Sequence, residues 1–110
     1  MVFALATDEN TLKVFKDQAE AISYCEGVDV EDGVWLFFDT DGQALEPVIT
    51  NPTRRGTFTV TSGTYLLRRT EDRPHLSQRL HEITNIEPWG DMKTLADVQR
   101  LLTSRRSPTP

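Results

Sequence analysis

Ten residues in the first half of the chain, Gly33-Val34-Trp35-Leu36-Phe37-Phe38-Asp39-Thr40-Asp41-Gly42, limit the possible folds more than any other stretch. Alternate residues of a strand point to opposite faces, so the run Val34–Phe38 is apolar on both. That is the pattern of a central strand with helix covering one side. The Asp-Thr-Asp-Gly that follows is hairpin chemistry, because Gly42 supplies the positive backbone dihedral that a tight reversal requires. The chain then returns through Gln43–Thr50. Pro47 has no N–H to donate, which calls for an unpaired edge or a bulge at that point.

The flanking segments fill in the rest. Residues 2–6 (VFALA) and 11–16 (TLKVFK), split by the turn-prone Thr7-Asp8-Glu9-Asn10, read as a hairpin. Asp17 with Glu20 forms a capping box for a helix through Ala19, Ala21, Ile22, Tyr24 and Cys25, which Gly27 should end as a left-handed cap. Cys25 shares a face with Ile22 and Ala19, the place of a buried packing thiol. Val28–Asp32 is expected to be an irregular acidic connection. A second turn, or a mobile basic loop, over Asn51–Gly56 leads to alternating 57–61 (TFTVT) and, past Ser62-Gly63, to 64–69 (TYLLRR), a further hairpin. Leu76, Leu80 and Ile83 recur at helical spacing behind Asp72 and Pro74. Asn85–Lys93, with Pro88 and Gly90, breaks that helix. Thr94 and Asp97 cap a last one carrying Leu95, Val98, Leu101 and Leu102. The expected fold class is α+β: a mostly antiparallel sheet of hairpins with one N-terminal and two C-terminal helices packed on one face. Residues 1–104 form one domain and 105–110 a flexible C-terminal tail.

Function classes narrow by elimination. One cysteine among 110 residues allows no internal disulfide and suits a reducing compartment. No apolar run has the length of a membrane helix, and MVFALATDEN is not built like a signal peptide, so a cytoplasmic location is expected. His75 and His81 fall on different sides of a helix and have no partner at metal-ligand spacing. Asp39–Gly42 has its glycine in the wrong place for a calcium loop. No nucleophile elbow, phosphate loop or zinc motif occurs. No catalytic residue, cofactor or metal is therefore assigned, and the chain is read as a binding protein rather than an enzyme.

Charge provides the positive signal. Residues 1–50 hold eleven carboxylates against Lys13 and Lys16, whereas residues 51–110 hold ten Lys/Arg against six carboxylates. An acidic half of this kind steers a basic partner toward itself and repels nucleic acid. Arg68 and Arg69 are expected to end a strand and pair with carboxylates of the acidic half. Asp29, Glu31 and Asp32 precede the apolar strand and Asp39, Asp41 and Glu46 follow it, about 17 Å away at the other end. They make either one broad negative face or a site at one end. Trp89, in a Pro-Trp-Gly loop, is an exposed anchor or a lid on the core. Tyr24 is a second possible anchor.

The passage Ala19–Leu45, AEAISYCEGVDVEDGVWLFFDTDGQAL, resembles small immunity proteins of bacterial polymorphic toxin systems of the contact-dependent growth inhibition and Rhs type. The similarity rests on Glu20-Ala21, on Gly27-Val28-Asp29-Val30-Glu31-Asp32-Gly33, and on Phe38-Asp39 with Asp41-Gly42. It ends before Asn51. The resemblance implies a cytosolic antidote that binds one cognate toxin domain, often a nuclease, and blocks its active site or its access to substrate. The chain is expected to be a monomer or weak dimer with no membrane or nucleic-acid partner. A small regulatory or accessory subunit of a cytosolic enzyme complex, docking through its C-terminal helices, is the alternative.

Overall fold

The apolar run becomes the hinge of a six-stranded sheet. The structure, a computed structural model, describes residues 1–105. Strands β1 (Val2–Ala6) and β2 (Thr11–Phe15) form the first hairpin. Helices α1 (Gln18–Tyr24) and α2 (Gly27–Glu31) follow, and then β3 (Trp35–Phe38) and β4 (Ala44–Asn51). A two-stranded ribbon, β5 (Arg54–Arg55) with β6 (Val60–Thr61), precedes β7 (Thr64–Arg69). Two 3-10 turns, Leu76–Gln78 and Leu80–Glu82, lead to β8 (Asn85–Glu87) and α3 (Leu95–Arg105). The sheet order is β7-β4-β3-β1-β2-β8, antiparallel except for β8, which joins β2 in parallel. The fold is α+β around a mostly antiparallel six-stranded sheet.

Both sheet faces are covered, not one. The first core takes Ala4, Phe15, Phe37, Leu45 and Tyr65 beneath Ala21, Cys25 and Val30 of α1 and α2. The second takes Phe3, Leu5, Leu12 and Phe38 beneath Leu76, Ile83, Val98 and Leu102. The double-faced pattern of Val34–Phe38 follows from this, since Trp35 and Phe37 enter the first core and Phe38 the second. Thus two helices lie in the N-terminal half and one at the C-terminus, instead of one and two. The helix expected from Leu76 to Ile83 is replaced by the two 3-10 turns. Their geometry is set by one local and one distant bond: His75 Nδ1 accepts from Ser77 N, and Leu76 N donates to Gly42 O at 2.9 Å. The i, i+4, i+7 spacing reflects only that Leu76 and Ile83 are buried. His75 is tied in further by Nε2, 2.7 Å from Asp41 O.

Other local signals translate directly. Asp17 Oδ1 accepts from Glu20 N at 2.9 Å at the start of α1. In the β3–β4 turn Asp39 Oδ1 accepts from Asp41 N and Gln43 N, and Gly42 adopts φ 83°. The β3–β4 ladder stops at Phe37↔Leu45, so Pro47 meets no strand on that side, and a bulge follows between Ile49 and Asn51. Gly27 does not cap α1. It opens α2, where a Cβ would lie 2.1 Å from Gly63 O. The glycine is needed for close backbone approach, not for a left-handed turn.

The expected 57–61/64–69 hairpin is also redrawn. β7 pairs with β4, and the ribbon β5–β6 extends beyond them. Leu45, Tyr65 and Leu67 give β4 and β7 a shared core to join, whereas residues 57–61 bury nothing. Arg105 ends α3, and the remainder of the tail expected at 105–110 lies outside the described residues.

At α3 the capping box is reciprocal. Asp97 N donates to Thr94 Oγ1, while Asp97 Oδ2 accepts from Thr94 N and Lys93 N at 3.0 Å each. The Lys93 amide, with help from Thr94 and Arg100, holds the Asp97 carboxyl below its ordinary value. A carboxyl depressed by folding stabilises the fold above its unfolded pKa, and that contribution fades as pH falls through the folded value. The melting temperature of the natural chain should therefore exceed that of Asp97→Asn at neutral pH. The gap should close as pH drops below about 4. Thermal melts of both proteins across that range check this.

Candidate functional site

The structure separates the carboxylates singled out by sequence into groups with different duties. Glu31 Oε2 accepts from Thr53 N at 2.8 Å and from the Thr53 hydroxyl, fastening the β4–β5 connection to α2. Asp32 stands 3.8 Å from Arg55, across the same junction. At the other end of β3, Asp39 pairs with Arg69 at 3.2 Å, and Glu46 accepts from Arg68 Nε at 2.9 Å. These arginine pairs are those expected for the end of the strand. They are mostly solvent-exposed on the arginine side, so each adds little stability. They do lower the net negative potential around Asp39 and Glu46. Asp29, Glu31 and Asp32 thus share α2 and its C-cap, and Asp39, Asp41 and Glu46 share the β3–β4 hairpin, with β3 between the two groups.

Asp29 belongs to a further constellation. The ladders place Ala6 opposite Trp35 and opposite Thr11, so the β1–β2 turn lies beside the start of β3. There Asp8, Glu9 and Asp29 rim a cleft of about 190 Å³ whose walls include Val34, Trp35, Tyr24 and Lys13. Thr7 N fixes the turn by donating to Val34 O at 2.8 Å. Tyr24 lies edge-on to Trp35, with ring centroids 6.3 Å apart, and 5.5 Å from Phe15. The cation on the wall is already engaged. Lys13 Nζ is 2.9 Å from Glu87, donates to Tyr24 Oη at 2.6 Å, and sits 4.3 Å from the Tyr24 ring centre. Burial alone would lower the Lys13 pKa, but the Tyr24 and Glu87 contacts outweigh it and the net shift is upward. Lys13 therefore stays charged and leaves the rim carboxylates as the cleft's unneutralised charge.

Asp8 and Glu9 are additions to the sequence-derived set. The signal was present as an acidic turn, but its proximity to Asp29 and Trp35 depends on β1 pairing with both β2 and β3. Trp35 is buried in the first core and lines the cleft, and Tyr24 is exposed beside it. Trp89 is half-exposed and held in a two-way backbone bridge with Met92, remote in sequence from either acidic group.

Comparison with protein-family models, curated proteins and solved structures gives no match. The cleft's chemistry must then speak for itself. Among the described residues no three His, Cys, Asp or Glu side chains converge as a metal site. Cys25 is buried under α1, where desolvation pushes its thiol up to about 12 and keeps it protonated at neutral pH. Tyr65 Oη donates to the Cys25 carbonyl at 2.6 Å, and burial raises this phenol as well. A second cleft, of about 230 Å³ over Leu36, Phe38 and Ala44, carries Arg73 and Arg79 at its rim, with Arg79 held by Glu82. The apolar residues Val98 and Leu102 of α3 are buried in the second core. No helix of the described residues is long and apolar enough to cross a membrane.

Proposed function

We propose that the chain is a cytoplasmic immunity protein that binds one cognate toxin domain, a basic nuclease, and neutralises it by occupancy, with no bond made or broken. The observation that carries this reading is the aromatic-walled cleft rimmed by Asp8, Glu9 and Asp29, whose single lysine is already paired within the chain. A nuclease must present cations to hold phosphates. Carboxylates set around a mostly polar cleft with aromatic residues in its lining offer those cations a substitute, and long-range attraction speeds capture. Glu31 and Asp41 extend the negative field, to which Asp32, Asp39 and Glu46, each offset by an arginine, add less. Tyr24 is the aromatic contact in the cleft, and Trp89 is a further half-exposed one. The resemblance of Ala19–Leu45 to immunity proteins points the same way.

The experiment asks whether a large secreted toxin gene lies directly upstream and, if so, pairs the chain with that toxin's domain. Co-expression should restore growth, and the two should co-purify at low salt. A metabolic operon in place of a toxin gene, or a toxin domain that neither binds nor is silenced, would favour the accessory-subunit reading instead.

A further inference from the structure

The longest dimension of the molecule, 57 Å against 26 and 22 Å, comes with a feature the acidic cleft does not explain. β4 runs antiparallel to β3 and continues past its start, so the β4–β7 hairpin leaves the body at the end where Ala6, Trp35 and the cleft lie. Beyond the Gly27–Gly63 contact only the ribbon β5–β6 remains, and all four of its residues are exposed. At its tip Phe58 is 96% exposed, and Ile49, Val60 and Leu66 add apolar surface along the same arm. Residues 49–65 carry Arg54 and Arg55 and none of the chain's seventeen carboxylates, whereas Arg68 and Arg69 lie at the other end of β7, paired with Glu46 and Asp39. The arm is thus cationic and apolar, and the body it leaves is strongly anionic.

We propose that this arm docks on a second copy of the chain, with Phe58 seated in the acidic cleft and Arg54 and Arg55 facing Asp8, Glu9 and Asp29. The cleft supplies carboxylates for Arg54 and for Arg55, which within its own chain meets the exposed Asp32 at 3.8 Å, and the exposed Tyr24 ring for an aromatic one. Because arm and cleft share one end of the sheet, two copies laid antiparallel exchange tips reciprocally. The contact is isologous and closes at two copies. A nucleic acid or an anionic membrane would attract the same arginines, but the excess carboxylates of the body repel both, while another copy meets the arm with opposite charge. A basic toxin and a second copy then compete for one cleft. Self-association is read without any toxin present, so this inference stands or falls separately from the immunity reading.

The test is sedimentation velocity over a concentration series at low ionic strength, with far-UV circular dichroism confirming each variant's fold. The natural chain should sediment as a concentration-dependent dimer that salt dissociates. Phe58→Ser, a change at an exposed tip, should weaken it by roughly 30-fold or more. Arg54→Glu/Arg55→Glu and Asp8→Arg/Glu9→Arg should each be monomeric alone, and their equimolar mixture should dimerise, since both reciprocal contacts again join opposite charges. A natural chain that stays monomeric, a Phe58→Ser dimer of unchanged strength, or a mixture that stays monomeric would each overturn the proposal. So would a monomer that binds anionic vesicles or single-stranded DNA through Phe58.

Discussion

Phe37→Ala is expected to destabilise the protein by about 3–5 kcal/mol, read as a fall in the urea midpoint with unchanged slope. Phe37 is fully buried at the centre of β3, paired with Ala4 on one side and Leu45 on the other. Its ring lies 6.1 Å from that of Tyr65, across β4, and Tyr65 in turn holds the Cys25 carbonyl at the end of α1. Removing the ring leaves a cavity beneath α1 and takes away the support of that hydrogen bond. For a domain of this size the loss is a large share of the folding free energy, which is about 5–15 kcal/mol. A change under about 1 kcal/mol would mean that the first core is not organised around β3.

The second large effect is expected at Gly27. Alanine there would set its Cβ 2.1 Å from the Gly63 carbonyl oxygen, and both contacting groups are backbone, so no side chain can swing aside. Gly27→Ala should cost about 1–3 kcal/mol as an overpacked contact. The larger consequence is local. Glu31 grips Thr53 from the same helix, and Thr53 Oγ1 accepts from Gly63 N at 3.0 Å, so pushing the helix away from Gly63 releases the root of the arm. Amide exchange in β5 and β6 should rise far more than in β1. Equal protection of both regions in natural and variant protein would show that this approach does not hold the arm.

These two positions also illustrate what the amino-acid sequence makes legible. The role of Phe37 follows from its run of apolar neighbours and the Asp-Thr-Asp-Gly turn behind it, both local signals. The same holds for the Asp17 and Thr94 caps and for the β1–β2 hairpin. Gly27 shows the opposite case. A glycine after a short helix fits a left-handed cap, and only the meeting of two distant backbones reveals its use. Non-local pairing likewise decides that β7 joins β4 over the nearer residues 57–61, and that Asn85–Glu87, read as a helix breaker, becomes a parallel edge strand beside β2. The second covered face was hidden for the same reason, because periodicity marks a buried side without saying which layer it meets. Of the cleft's three carboxylates, the sequence pointed to Asp29 among its six acidic candidates. Adding Asp8 and Glu9 requires the pairing of Ala6 with Trp35.

Charge-driven capture through the cleft is tested most directly by stopped-flow association with a toxin domain that the co-expression experiment identifies as the partner. Both proteins compared carry Phe58→Ser, so that any competition from a second copy is removed. Adding Asp8→Asn, Glu9→Gln and Asp29→Asn together should slow association about tenfold at low salt and flatten its dependence on ionic strength. Identical rates and identical salt slopes for the two proteins would contradict the account.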